Sequence, residues 1–225
     1  MKDSLLARRS LMSGLGVATA LALTSKTAIA QAPAQQFQPA RHSQDAWLNG
    51  VRGTHRNFID ASTATGAGEA MLYANNIFEA NKTGYSIPEN DIAIVVCLRH
   101  FATAFAFNDA MWGKYGKQLS TIAQFTDPKT KAAPSTNLLN SAGYGMTLSN
   151  LGNTIDSVVK RGAQFAVCDM ATRFFSGQIA ASGGNADAVY KELVANRIPN
   201  SHMVAAGVVA VNRAQEYGYS LLTTL

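Results

Sequence analysis

The sequence predicts an α/β fold, a three-layer sandwich of helices around a mainly parallel sheet of about five strands. Short apolar segments with strand character alternate along the chain with segments whose apolar residues recur at helical spacing. The segment DIAIVVC, residues 91–97, is a continuous β-branched run of the kind that a central parallel strand shows. Strands that alternate with helices imply crossover connections and helices on both faces of the sheet.

The first half of the predicted domain contains two strand–helix units. Residues 55–61, HRNFIDA, have strand character and end at the turn-rich segment STATGAGE. Apolar residues at helical spacing follow over 67–81, and Gly84 is a typical C-terminal stop. After the strand at 91–97, one apolar stripe predicts a second helix over 101–115.

Residues 117–146 interrupt this alternation. Because the segment is rich in Pro, Gly, Ser and Asn, it predicts an exposed excursion rather than a second domain. Helical spacing returns over 148–159, and the strand AQFAVC at 163–168 follows it. A short helix is then predicted to begin at Asp169.

The last part of the chain predicts two further strands. Asn185 is the expected N-cap of a helix that closes before Pro199. A strand at 201–205, a final helix over 206–218 and a last strand at 219–224 complete the predicted fold.

The N-terminal segment predicts export. Residues 1–30 have a basic start, an uncharged stretch over 10–25 and an Ala-x-Ala site that ends at Ala30, which is the pattern of a cleaved signal peptide. The pair Arg8-Arg9 indicates the twin-arginine route. The uncharged stretch is shorter than the roughly 20 residues that cross a bilayer. We therefore expect a periplasmic protein with no membrane anchor.

The predicted mature chain begins with an extended arm and carries little net charge. The arm covers 31–52, is rich in Gln, Ala and Pro, and is anchored by Trp47, and the α/β domain covers 53–225. The whole chain has 19 basic and 14 acidic residues, a net charge of +5. Since four basic residues and one acidic residue lie in 1–30, the net charge of the mature part falls to +2. This balance predicts no nucleic-acid partner.

Both cysteines are expected at strand ends, where ligands and catalysts collect in an open parallel sheet: Cys97 closes one strand and Cys168 another. The dipole of the following helix favours a thiolate at Cys168, whereas the adjacent Asp169 opposes it. Arg173, four residues further on, can pair with Asp169 and so support the charge. Cys168 is therefore a candidate nucleophilic or persulfide-carrying thiol, and the alternative is a small buried apolar residue.

The motif Cys-x-x-His at Cys97 and His100 leaves several roles open. Cys97 could serve as a resolving thiol, or it could line a pocket together with His100. Alternatively, Cys97 belongs to the core, and Arg99 and His100 open a helix and face solvent. A disulfide between Cys97 and Cys168 is a third alternative in an oxidising compartment. No cofactor is predicted from the motifs. A metal ion is a weaker alternative, and its ligands would come from Cys97, His100, Cys168, His55 and His202.

Two C-terminal segments resemble the DsrE/DsrF-like family. They are FAVCDMATRFFSGQ at 165–178 and IPNSHMVAAGVVAVNRAQEYGYSLL at 198–222. They share with that family a strand that ends in Val-Cys, a Val-x-Ala-Gly-Val turn, and a helix that ends in Gln-x-x-Gly-Tyr before the last strand. The resemblance covers roughly residues 53–225.

This resemblance implies a DsrE-like three-layer fold that assembles into a homo-oligomer, a trimer or a hexamer. It also implies a sulfur relay, in which a cysteine after a central strand receives a persulfide and passes it to a partner protein. Cys168 stands in that position. The known relay members are cytoplasmic, whereas this chain is predicted to be exported.

Two functions follow as hypotheses from the sequence. The first is periplasmic sulfur handling through a persulfide on Cys168, with small sulfur species or a relay protein as partner. The second is a non-catalytic module of the same fold, which binds a metal or a small ligand at the strand-end cleft or acts as a structural oligomer.

Overall fold

A single five-stranded parallel sheet organises the computed structural model, which describes residues 38–225. The strands lie in the order β4-β3-β2-β1-β5, and every neighbouring pair is parallel. The predicted signal peptide, 1–30, and the first part of the predicted arm, 31–37, lie outside the described residues.

All five predicted strands are present within one residue of their predicted bounds. The central strand is buried along its whole length, which is why its sequence is a continuous apolar run rather than an alternating one. The strands are β1 (His55–Ala61), β2 (Ile92–Leu98), β3 (Gln164–Cys168), β4 (Ser201–Val204) and β5 (Ser220–Thr224).

Helices cover both faces of the sheet, so the fold is the predicted three-layer α/β sandwich. Because successive strand residues point to opposite faces, Ile94 and Val96 of β2 pack on one layer, whereas Val95 and Cys97 pack on the other. The helices are α1 (Trp47–Gly50), α2 (Ala64–Tyr85), α3 (Asp109–Ala123), α4 (Ile155–Lys160), α5 (Asp169–Ala180), α6 (Ala186–Ala195) and α7 (Gly207–Glu216).

The two helical layers differ in size. Helices α2 to α6 pack on one face and bury the larger core, whereas α7 and α1 cover the other face. The helix that follows β3 and the helix that follows the adjacent β4 therefore leave the sheet on opposite sides. In parallel sheets such a reversal opens a crevice at the carboxyl ends of the two strands, and ligands bind there.

The predicted second helix is divided in two. Residues His100–Ala106 form a 3₁₀-helix, and α3 begins only at Asp109. The interruption has a local cause, because the side chain of Asn108 accepts the N–H of Met111 and so caps a new helix. An isolated antiparallel bridge between Phe107 and Arg197 holds the chain extended just before this cap.

The predicted excursion at 117–146 is shorter and less exposed than the sequence suggests. Helix α3 takes up residues 117–123, and two 3₁₀-helices, Leu138–Asn140 and Ala142–Thr147, lie further along. Leu138 and Leu139 are buried in the larger core because their apolar side chains pack on it. The segment is thus part of the domain's packing.

The described part of the arm is also structured. Residues Ser43–Asp45 form one 3₁₀ turn, and α1 follows directly, so this part is not extended as expected. Leu48 is buried in the smaller core, and the indole of Trp47 stacks on the ring of His202 with centroids 4.1 Å apart. Between residues 38 and 225, no helix is long and apolar enough to span a membrane.

Candidate functional site

Cys168 lies in the crevice between β3 and β4. It ends β3 and is the N-cap residue of α5, so its side chain meets the first turn of that helix. Its sulfur accepts the backbone N–H of Ala171 at 3.4 Å and the backbone N–H of Gly207, at the start of α7, at 3.2 Å. The N-termini of two helices on opposite faces of the sheet therefore converge on one sulfur atom.

Close approach of α7 to β2 requires glycine at position 207. A Cβ atom added to Gly207 would lie 2.3 Å from the Cβ of Arg99 and 2.9 Å from its Cδ. Contacts this short do not occur between real side chains, so any larger residue must displace α7 or Arg99. The absence of a side chain at Gly207 is what allows its N–H to reach Cys168.

Arg99 is held by a bidentate ion pair. Its Nε lies 2.7 Å from Oδ1 of Asp60, and its Nη2 lies 2.8 Å from Oδ2. Asp60 is buried near the end of β1, and the hydrogen bonds to its carboxylate raise the pKa of the Arg99 guanidinium. Arg99 thus does not point freely into solvent, as one alternative from the sequence had it, but lines the same cavity as Cys168 with its charge balanced.

A cavity of about 490 Å³ has Cys168 in its wall. Its volume is in the range of small-molecule sites. Only 6% of Cys168 is exposed, and the residue lines this cavity. The other lining residues are mostly apolar: Arg99, His100, Phe101, Met170, Ala171, Phe174, Phe175, Ala206, Gly207 and Val208.

Cys97 does not line this cavity, contrary to one expectation. It lies one strand away on β2, is completely buried, and its sulfur is 3.9 Å from the carbonyl oxygen of Gly207. Burial raises the pKa of the Cys97 thiol well above its usual value, and the Asp60 carboxylate adds to this shift. Both cysteines are free thiols, so the structure holds no disulfide between them.

His100 lines the cavity at its exposed edge. Its backbone is left-handed, with φ of 52°, a conformation that costs free energy for a residue other than glycine. The turn places the imidazole 4.0 Å from the ring of Phe101, centroid to centroid. His100 is therefore near the candidate thiol, as a residue of the rim.

Arg173 acts on the site only through Asp169. Its Nε is 2.7 Å from Oδ2 of Asp169, and its guanidinium lies over the ring of Tyr190, 4.2 Å from the ring centroid. The side chain is exposed and does not line the cavity. The predicted pairing with Asp169 is present, and it neutralises the carboxylate that follows Cys168.

The five residues of the metal alternative are not brought together. His55 begins β1, at the amino ends of the strands, whereas Cys168 ends β3, at the carboxyl ends. His202 stacks on Trp47. Across the described range 38–225, no three His, Cys, Asp or Glu side chains lie close enough to hold a metal ion. The structure therefore gives this ligand set no geometric support.

The sequence did not single out Asp60, Arg99 and Gly207 as site residues. The Val-x-Ala-Gly-Val motif could have pointed to Gly207, because it places this glycine in a turn that leads into a helix. Asp60 and Arg99 each lie near a strand end, but only the pairing of β1 with β2 shows that they meet. Phe101 begins the apolar stripe that predicts a helix over 101–115, and in the structure it lines the cavity.

Comparisons with known proteins identify no family. No protein-family model matches the chain, and no curated protein matches it. A search of solved structures matches MTH1491 from Methanobacterium thermoautotrophicum, a protein of unknown function. The two chains are 12% identical with a TM-score of 0.36, and the match covers 75% of this chain and 98% of that one. This similarity assigns no activity.

Proposed function

We propose that the protein is an exported DsrE/DsrF-like protein that carries sulfane sulfur as a persulfide on Cys168. One observation carries the proposal: the sulfur receives two backbone N–H groups in the wall of a cavity large enough for a small molecule. The basic, uncharged and Ala-x-Ala segments of residues 1–30 support export, and the resemblance of 165–178 and 198–222 supports the family and its oligomeric state.

The hydrogen bonds suit an anionic sulfur. N–H groups at helix N-termini stabilise negative charge because they are unpaired donors at the positive end of the helix dipole. Here Ala171 and Gly207 supply one such donor each, from two different helices. The thiolate is the form of Cys168 that attacks a sulfur donor, so the two N–H groups suit the reacting form of its sulfur.

The transfer needs no oxidant. The thiolate of Cys168 attacks the outer sulfur of a donor persulfide, R–S–SH, and a new S–S bond forms as that of the donor breaks. The thiolate R–S⁻ leaves, and Cys168 becomes a persulfide that still carries the proton of the transferred sulfur. Because the sulfane sulfur moves between two thiolates, donor and acceptor exchange roles without net oxidation. The reverse step delivers sulfur to an acceptor thiol.

Intact mass spectrometry tests the proposal. Native protein incubated with a freshly prepared organic persulfide, R–S–SH, should gain about 32 Da, one sulfur atom, and lose it again with a reductant. The Cys168→Ser variant should gain nothing, whereas Cys97→Ser should still gain one sulfur because Cys97 is buried away from the cavity. A chain that takes up no sulfur, or takes it up on Cys97, would contradict the proposal.

The cavity favours one alternative, a module that binds a small apolar ligand without chemistry at Cys168. Such a module would bind its ligand equally well after the Cys168→Ser substitution and would show no sulfur adduct. A comparison of the wild-type protein with the Cys168→Ser variant therefore distinguishes the two functions.

A further inference from the structure

We infer that the small molecule that exchanges sulfur with Cys168 is an organic persulfide whose R group is apolar, rather than an inorganic sulfur anion. This inference rests on the proposed function and adds its substrate class. It comes from the chemistry of the residues that line the cavity. This observation is independent of the hydrogen bonds to the sulfur.

The walls of the cavity are apolar around the sulfur. Phe101, Phe175 and Ala206 line it together with three more exposed apolar side chains, Met170, Phe174 and Val208. Transfer of a small dianion from water to such a surface is unfavourable unless charges or hydrogen bonds replace its hydration. An alkyl or aryl group, in contrast, gains free energy from the same surface in proportion to the area that it buries.

The cation beside the sulfur is already neutralised. Arg99 uses Nε and Nη2 to bind both oxygens of Asp60, so the pair presents no net charge to the cavity. Arg173, which follows Cys168 closely in the sequence, pairs with Asp169 and does not line the cavity. The lining therefore resembles a site for a neutral group more than an anion site.

Three large apolar side chains remain exposed at the cavity. The exposed fractions are 67% for Met170, 60% for Val208 and 54% for Phe174. Neighbouring exposed apolar residues on a soluble domain mark surfaces that bind something apolar. These three residues border a cavity of about 490 Å³ that Cys168 also lines, and this volume suits a small molecule. Their arrangement therefore favours the R group of a persulfide as the occupant over the surface of a partner protein.

Three matched donors test this inference on the full chain. Freshly prepared persulfides with a benzyl, a 2-hydroxyethyl or a 2-sulfonatoethyl group would be compared by the initial rate at which Cys168 gains one sulfur. Each rate would be divided by that of the same donor with N-acetylcysteine, which removes differences in intrinsic reactivity. We expect the benzyl donor to react about tenfold faster than either polar donor, since a ring buries enough apolar surface for that factor.

A matched pair of methionines provides the control. Met170→Ser should lower the normalised rate with the benzyl donor several-fold, and by more than it lowers the rate with the hydroxyethyl donor. Met146→Ser changes a methionine that is also exposed, at 79% against 67% for Met170, but does not line the cavity, so it should have no effect. Both residues are on the surface, and both variants are therefore expected to fold.

The outcomes separate this inference from the proposed function. Equal normalised rates for the three donors, or a faster sulfonate donor, would overturn the apolar substrate and leave the persulfide on Cys168 in place. A protein partner as the natural donor would also give equal, slow rates with these small molecules. No sulfur uptake from any donor would overturn the proposed function itself.

Discussion

The backbone N–H of Gly207 donates to the sulfur of Cys168 over 3.2 Å, although the two residues are 39 positions apart. They meet because β3 and β4 are neighbours in the sheet and the helices that follow these strands leave on opposite faces. The candidate site is therefore a product of the topology, since two helix N-termini face each other here across adjacent strand ends.

Replacement of Gly207 by alanine should damage this contact. The added Cβ would lie 2.3 Å from Cβ of Arg99, so either α7 or Arg99 must move. We expect Gly207→Ala to destabilise the fold by about 1–3 kcal/mol, as overpacking does, and to slow alkylation of Cys168 in the native protein. Urea unfolding and the rate of reaction with iodoacetamide measure the two effects.

Gly177→Ala is the matched control for that substitution. Gly177 lies on the exposed side of α5, and a Cβ atom there would meet nothing within 4 Å. Alanine should leave the alkylation rate unchanged and stabilise the helix by up to about 1 kcal/mol. If Gly207→Ala behaved like this control, the close approach of α7 to Arg99 would not be needed for the site.

Alkylation of the native chain should be confined to one cysteine. Cys168 lines the cavity, whereas Cys97 is fully buried and burial raises its pKa, so it remains an unreactive thiol. Iodoacetamide at neutral pH should therefore add one group per native chain, at Cys168, and two after denaturation. Intact mass and peptide mapping report both numbers, and a native chain labelled at Cys97 would contradict the structure.

The sheet could be predicted from the sequence because strand signals are local. The β-branched run of β2 and the turn residues around the other strands specify where each strand lies. The break between the 3₁₀-helix His100–Ala106 and α3 could not be predicted from the apolar stripe alone. It depends on the cap at Asn108 and on the bridge from Phe107 to Arg197, which is a tertiary contact.

The candidate site could also be predicted only in part, because tertiary contacts are not visible in local sequence patterns. The place of Cys168 at a strand–helix junction is a local pattern, and the structure has it there. The donor from Gly207 and the ion pair of Asp60 with Arg99 depend on which strands are neighbours. A single sequence does not give strand order, so these partners, and the distance of His55 and His202 from Cys168, appear only in the fold.

The stability of the protein should fall at alkaline pH through Cys97. Burial raises the pKa of this thiol in the folded chain, whereas the unfolded chain ionises near the ordinary cysteine value of about 8.5. Above that pH the unfolded chain has released a proton that the folded chain keeps, so the free energy of unfolding decreases as pH rises. The stabilisation that the protonated Cys97 thiol contributes is complete below about pH 8.5 and is lost progressively above that pH.

The variant Cys97→Ala isolates this effect. It should be less stable than the wild type at pH 7.5, by about 1–2 kcal/mol, because a small cavity replaces the sulfur. The difference should narrow by about 1.4 kcal/mol between pH 7.5 and pH 9.5, since the variant has no thiol to ionise at this position. Parallel pH profiles for the two proteins would show that Cys97 titrates alike in both states.

The ion pair of Arg173 with Asp169 should tune the reactivity of Cys168 from outside the cavity. Removal of the guanidinium in Arg173→Gln leaves an unbalanced carboxylate next to the thiol, which disfavours the thiolate. We expect alkylation of Cys168 to slow by at most about threefold in low salt, and by less in high salt, because exposed charges are screened.

A double substitution tests the route of this effect. Asp169→Asn together with Arg173→Gln should restore the rate, since it removes the carboxylate that Arg173 neutralises. Lys191→Gln removes one exposed positive charge from α6 and controls for net charge. If that variant slowed the reaction as much as Arg173→Gln, the effect would come from the overall charge and not from the pair.

The contact between the arm and the sheet should weaken in acid. Burial, with a further contribution from Arg197, lowers the pKa of His202, whose ring stacks on Trp47. The unfolded chain binds a proton below the ordinary histidine pKa of about 6.5, and the folded chain binds it less readily, so stability is lost as pH falls below that value. The variant His202→Phe keeps a ring against Trp47 but cannot be protonated. Between pH 8 and pH 5 its melting temperature should therefore fall less than that of the wild type, and an equal fall in both proteins would exclude His202 as the cause.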